Sequence, residues 1–260
     1  MNIQLNGKIA LVTGGSTGIG RGIAEALAAS GASVGVGYLS DRAPADDTVN
    51  AIVAAGGKAV ALKADVADQA AVQAMFAELD ASLGPIDILV NCAGIDGRAA
   101  LTWEVEAPAW KKVLEVNLFG SFHCAQEAMR RMSARRTGVV VNISSVHETI
   151  AWSGYSAYCA SKAALSMFTK TLAQEAAPFG VRVLSVAPGA IQTDINRSVW
   201  SDPAALPDLL HKIPLARMGQ VKEIGQLVTV LASDVGSYVT GTTLFVDGGM
   251  TDYPDFAHGG

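Results

Sequence analysis

The chain has 260 residues, half of them apolar and 17% charged, so a single large core can bury most of its surface. Its net charge of −5 comes without any Lys or Arg stripe, which excludes an electrostatic footprint for nucleic acid or an anionic membrane and leaves a small molecule as the expected partner. Cys92, Cys124 and Cys159 are odd in number and lack metal-binding spacing, the start has no signal-peptide pattern, and no apolar run reaches the ~18 residues of a membrane span; a cytoplasmic protein without a metal is expected.

In chain order, short β-branched runs at 8–13, 33–38, 59–63, 86–91, 139–143, 181–186 and 242–246 alternate with longer helical patterns. Nearly all are continuous in apolar residues, as strands covered on both faces must be. The spacing predicts an α/β fold of the doubly wound, Rossmann type, a seven-stranded parallel sheet with helices on both faces, in a single domain over residues 1–260. Helices are expected at 19–30 before Gly31, at 68–83 before Gly84, and at 156–177 before Pro178 and Gly180. The polar, proline-broken stretch 192–214 reads as a flap over a site. The tail 250–260 reads as frayed chain or a subunit contact.

Thr13-Gly14-Gly15-Ser16-Thr17-Gly18-Ile19-Gly20 sits between the first strand and the first helix. Glycines there allow a tight turn and a close approach to a pyrophosphate, whose charge then lies at the positive end of a helix. The first βα turn is where a doubly wound sheet binds a dinucleotide. Gly14-Gly15-Ser16-Thr17-Gly18 also spells the nucleophile elbow of a hydrolase, but that elbow needs an oxyanion loop from an earlier strand, and only seven residues precede this one.

Farther along, Ser145 follows the fifth strand, and Tyr158 and Lys162 lie one helical turn apart. A cation sharing a face with a phenol is expected to pull its pKa from about 10 towards neutrality, so that Tyr158 can take the proton of an alcohol while hydride leaves its carbon. Ser145 can hold the reacting oxygen. Each residue alone has an ordinary reading as packing, solvated charge or turn; their joint placement points to chemistry. His147-Glu148 does not extend to a zinc motif, because the second histidine position is Ala151.

These motifs, with Asp65-Val66, Asn91-Cys92-Ala93-Gly94, Asn117, Tyr158-Cys159-Ala160-Ser161-Lys162 and Pro188-Gly189, make the chain resemble the short-chain dehydrogenase/reductase family over its whole length. The resemblance implies a catalytic set of Asn117, Ser145, Tyr158 and Lys162, with Asn117 holding a water in a proton relay through Lys162. It implies that Gly14, Ser16, Thr17, Gly18, Ile19 and Gly20 hold phosphates and that Asp65 and Val66 hold the adenine. Asn91, Ala93, Gly94, Tyr158 and Lys162 would then line the ribose, and Pro188, Gly189, Ile191 and Thr193 the carboxamide. Cys92 departs from the family, which usually has a second Asn there.

The second strand ends in Tyr38-Leu39-Ser40-Asp41-Arg42, which meets neither the acidic rule for NAD nor the basic rule for NADP cleanly. NAD or NADP, with dual use, is the expectation, and Leu39, Ser40 and Arg42 are the candidate contacts. Within the family, 144–152, 189–193 with Asn196, 238–251 and 253–256 are similar to bacterial glucose 1-dehydrogenases. That similarity implies oxidation of an aldose such as D-glucose at C1 to the lactone, in a homotetramer, with Asp96, Ser145, His147 and Asn196 at the substrate. Leu39, Asp96 and the segment 96–103 depart from that group, and reduction of 3-oxoacyl or other ketone substrates stays open beside the sugar reading. So does a nucleotide-binding protein without chemistry.

Overall fold

The computed structural model describes residues 3–252. Seven parallel strands form one sheet in the order β3-β2-β1-β4-β5-β6-β9: β1 (Ile9–Thr13), β2 (Ser33–Tyr38), β3 (Lys58–Lys63), β4 (Ile88–Asn91), β5 (Gly138–Ile143), β6 (Val181–Pro188) and β9 (Thr243–Val246). Each lies within two residues of a run expected from apolar content. Residues alternate between two cores, so that Val12, Val34, Val90 and Val141 face one side while Leu11, Leu89 and Val140 face the other.

On the first face pack α1 (Gly18–Ala29), α2 (Ala43–Ala54) and α9 (Val221–Ala232), through Ile23, Leu27, Ile52 and Val228. On the second pack α3 (Gln69–Ser82), α5 (Gly120–Arg135) and α6 (Ser156–Ala176), through Phe76, Leu79, Ala128 and Ala173. Asp68 caps α3 by accepting from the Ala70 and Ala71 amides. Pro178 and the left-handed Gly180 stop α6 where the sequence requires.

The chain runs outward from β1 to β3, then returns to the other side of β1 as β4. This reversal opens a crevice at the carboxyl ends of β1 and β4, where Thr13 stands opposite Asn91. The Thr13 hydroxyl accepts from the Cys92 and Ala93 amides, both at 3.1 Å, and so pins the second loop to the first.

Two features carry no periodic signal. Between α4 (Ala107–Leu114) and α5, residues Glu115–Phe119 form a wider π-helical turn. Strand β7 (Ile191–Gln192) pairs with β8 (Gly219–Gln220) in a two-stranded ladder that closes the base of the stretch expected to be a flap. Within that stretch lie α7 (Arg197–Trp200) and α8 (Ala205–His211), and Leu215 donates to the Gly248 carbonyl at 3.0 Å. The resemblance at 253–256 lies outside the described residues, as does most of the tail. Among the described residues no helix is long and apolar enough to cross a membrane, and no three metal-ligating side chains gather.

Candidate active site

A cleft of about 1340 Å³ follows the carboxyl edge of the sheet and is lined by both the glycine turn and the Ser-Tyr-Lys set. At one end, Gly14 has φ +62°, and a Cβ there would stand 2.9 Å from the Ala93 Cα. A Cβ on Gly20 would run into the Gly14 carbonyl oxygen. The turn is thus as tight as backbone allows. Thr17 begins α1 without a side-chain cap, and no acidic residue occupies the first turn, so the positive end of the helix faces the cleft uncompensated. These features fit the pyrophosphate of a dinucleotide, and Leu39, Asp65, Val66, Ala93 and Gly94 line the same cleft.

Asp65 is held twice, by the Ala67 amide at 2.9 Å and by Lys112 at 3.6 Å. Lys112 also lines the cleft, and nothing in its sequence setting signals that position. Gly189, Ile191 and Thr193 reach the cleft from beyond β6, whereas Pro188, paired with Val246, is buried in the sheet. Ser40 is exposed and outside the lining.

Asn91 does not reach the cleft either. Its amide points into the second core, donating to the Ser121 carbonyl at 3.2 Å and to Asn142 at 2.9 Å. Asn142 in turn bonds Thr169, and Thr169 bonds Ser185, making a buried polar ladder from β4 through β5 to β6. Any part Asn91 takes in lining the ribose therefore falls to its backbone rather than to this side chain.

At the other end, β5 delivers Ser145, whose hydroxyl accepts from the His147 amide at 3.2 Å. Helix α6 presents Tyr158 and, one turn on, Lys162, with the ammonium 5.6 Å from the centre of the phenol ring. Lys162 is buried and donates to the Ile143 carbonyl at 2.9 Å. Asn117, at the π-helical turn, is also buried. Its amide pairs with the Ile95 backbone in both directions, at 2.8 and 2.9 Å, and donates to Ser161 at 3.0 Å. Ser161 donates to the Tyr158 carbonyl at 2.7 Å, so the Asn117 side chain braces the helix that carries Tyr158 and Lys162 from outside the cleft.

The electrostatics differ from the expectation drawn from spacing. Burial pushes the Tyr158 phenol up to about 12, against a smaller opposing pull from Ser145. Burial pushes Lys162 down to about 8, against Cys92, Asp96 and Glu148. The cation stays near the ring but is itself desolvated and bonded elsewhere, so it does not bring the phenol to neutrality in the cofactor-free protein.

The Lys162 shift has a measurable sign. The folded chain releases this proton near pH 8, while the unfolded chain holds it to the ordinary 10.5. Unfolding therefore takes up a proton in that window, and stability rises with pH across it; below pH 8 both forms are charged and the burial penalty is present in full. Between pH 7 and pH 9 the protein should gain about 1 kcal/mol relative to Lys162→Met in urea unfolding. A constant difference between the two would contradict the shift.

Around Tyr158 stands an aromatic group that sequence reading did not assemble. Trp152 stacks on His147 at 4.6 Å and on Tyr155 at 3.8 Å, and meets the Tyr158 ring edge-on at 6.0 Å. The His147 Nδ1 faces the Ile150 carbonyl at 3.0 Å, so it carries the proton and donates, leaving Nε2 bare. Asp96 lines the cleft, half-buried, its carboxyl raised chiefly by that burial. Asn196 is different: its oxygen accepts from the Thr193 amide and hydroxyl, and its nitrogen donates to the Ile191 carbonyl. These bonds hold the amide in its own loop, yet they use only one of its two N–H groups, and the residue still lines the cleft.

A parallel sheet whose switch point carries an open glycine turn, with a serine, a tyrosine and a lysine farther along the same cleft, defines a dinucleotide-dependent oxidoreductase. The chain belongs to the short-chain dehydrogenase/reductase family, whose members use NAD or NADP. The family profile described as enoyl-(acyl carrier protein) reductase matches residues 14–251. The chain is 44% identical to 3beta-hydroxysteroid dehydrogenase 1 of Eggerthella lenta, over 98% of each. It is 40% identical to glucose 1-dehydrogenase 2 of Bacillus subtilis, over 96% of this chain and 97% of that one. Among solved structures, a gluconate 5-dehydrogenase from Burkholderia cenocepacia in complex with NADP and tartrate superposes with a TM-score of 0.91 at 37% identity, over 96% of this chain and 98% of that one.

Proposed function

We propose that this chain interconverts a secondary alcohol and its ketone, with Tyr158 as the proton-transfer group. The observation that carries the reading is the convergence of Ser145, Tyr158 and Lys162 on the cleft that also holds the glycine turn. Bound NAD or NADP supplies the hydride acceptor or donor at its nicotinamide ring. In oxidation the substrate O–H proton passes to the Tyr158 oxygen as the carbon gives up its hydride; in reduction the same phenol returns the proton. The Ser145 hydroxyl fixes the reacting oxygen, where negative charge develops. Lys162 keeps a positive charge beside the phenol, and Asn117 holds the helix that carries both.

For the substrate we favour an apolar, ring-bearing alcohol or ketone. Ile95, Ile150, Trp152, Ile195, Val199 and Leu209 all line the cleft, and stacked Trp152 presents hydrocarbon beside Tyr158. Such surface suits one polar oxygen on a hydrophobic frame, like the substrate named for the Eggerthella relative. The aldose reading keeps Asp96, the bare Nε2 of His147 and the kinship with the Bacillus enzyme, but a sugar needs several polar partners and Asn196 spends its oxygen and one of its two N–H groups inside its own loop. The stretch 192–214 acts as the flap over this end, and association into a homotetramer is the accompanying proposal for the assembled protein.

A panel of a 3β-hydroxysteroid, D-glucose and a 3-oxoacyl thioester, each with both cofactors, separates the readings. Turnover of the steroid at a kcat/KM at least about tenfold above that for glucose is expected. Glucose oxidation with no turnover of the apolar substrates would return the aldose reading.

A further inference from the structure

Glu148 stands outside the catalytic set, yet its surroundings are unusual for a carboxylate. It ends the short turn Val146–Glu148 that begins immediately after Ser145. From there Oε1 accepts from the Ser166 hydroxyl at 2.9 Å, and Ser166 lies on α6 one turn beyond Lys162. Ser166 also sits 3.4 Å from the Thr243 hydroxyl of β9. The other oxygen, Oε2, is shut away from solvent with no hydrogen-bond partner among the described residues. A buried carboxylate oxygen in that state is costly unless a nearby charge offsets it.

We propose that Glu148 is a positioning residue of the proton-transfer site, tying the turn that carries Ser145 to the helix that carries Tyr158 and Lys162 and setting a buried carboxylate behind that helix. This rests on the roles proposed above for those three residues. The charges that act on Lys162 come from Cys92 at the end of β4, Asp96 in the loop after it and Glu148 in the turn after β5, and the Tyr158 ring on the same helix lies 5.6 Å from its ammonium. Of the two carboxylates, Asp96 lines the open cleft, whereas Glu148 is held from behind by Ser166. Removing its charge therefore acts on the lysine without touching the surface that meets substrate.

Three variants divide the role into parts. Glu148→Gln keeps an acceptor for Ser166 and loses the charge, Ser166→Ala keeps the charge and loses the tether, and Glu148→Ala loses both. For Glu148→Gln, kcat should fall about tenfold with KM within about twofold, and the ionisation in the pH profile of kcat should move to lower pH because a negative neighbour of Lys162 is gone. Ser166→Ala should lower kcat and leave that ionisation in place. Parental kcat and an unmoved pH profile in Glu148→Gln overturn the proposal, whether or not Glu148→Ala folds.

A second readout needs no turnover. In urea unfolding, the rise of stability with pH assigned to Lys162 should begin at lower pH in Glu148→Gln than in the parent, and an identical onset overturns the proposal. If the parent oxidises or reduces nothing in the panel, the substrate reading falls by itself while this titration still decides the link between Glu148 and Lys162.

Discussion

Tyr158→Phe should lower kcat by roughly 10²–10⁴-fold, the range contributed by a positioned proton-transfer group, while dinucleotide affinity changes little. The ring, its edge-on contact with Trp152 and its place under Lys162 all survive the change; only the hydroxyl is lost. Fluorescence titration with the reduced cofactor and stopped-flow turnover measure the two quantities separately. Because burial holds the parent's phenol protonated up to about pH 12 in the cofactor-free chain, the ionisation in the pH profile of ketone reduction should be that of Lys162, near pH 8, with a flat profile below it. Alcohol oxidation, which needs the phenolate, should climb with pH by up to about tenfold per unit. A Phe variant within a few-fold of the parent would move the proton transfer to another group, with Ser145 and the bare nitrogen of His147 next in line.

The second large effect is expected at the opposite end of the cleft. Gly14→Val places a branched side chain at φ +62°, where the Cβ alone lies 2.9 Å from the backbone of Ala93. The left-handed conformation costs about 1–2 kcal/mol for a residue with a Cβ, and relief of the clash must push the loop after β4 away from the turn. Dinucleotide affinity should drop by roughly a hundredfold or more, and the melting temperature by about 2–8 °C at some 2–4 °C per kcal/mol. Gly56→Ala is the control. Its φ of +86° imposes similar strain, but nothing lies within 4 Å and it is remote from the cleft, so it should lose stability and keep the cofactor. Parental affinity in the Gly14 variant would place the dinucleotide elsewhere.

Much of this architecture was legible in the residues because a strand covered on both faces must be apolar throughout. The runs around Val12, Val90 and Val141 declare themselves without tertiary knowledge. Glycine and proline stops located the ends of α3 and α6 for an equally local reason. Two-residue strands such as β7 and β8 have no period to detect, and the π-helical turn at Asn117 looks like ordinary helix until the Ile95 backbone is seen bonded to its amide.

Site residues divide in the same manner. The glycine turn and the Tyr158–Lys162 spacing depend on neighbours in the chain, and the structure places them as the sequence suggests. Asn91 and Asn196 depend on partners that spacing cannot supply: a ladder through Asn142 and Thr169 takes up the first, and the Thr193 and Ile191 backbone takes up the second. The direction of the Tyr158 shift was missed for a related reason. One-turn spacing brings a cation near, but how deeply both groups are buried, and that Lys162 spends a hydrogen bond on Ile143, are properties of the packed sheet.

Hydride transfer in this cleft can be followed atom by atom. The protein is incubated with reduced cofactor carrying deuterium at the transferable nicotinamide position and with the ketone it turns over best, and the alcohol is analysed by mass spectrometry. The account predicts one deuterium on the carbinol carbon of the product, formed by the parent and nearly absent with Tyr158→Phe. Alcohol whose new C–H hydrogen comes from solvent, or equal product from both proteins, would contradict it.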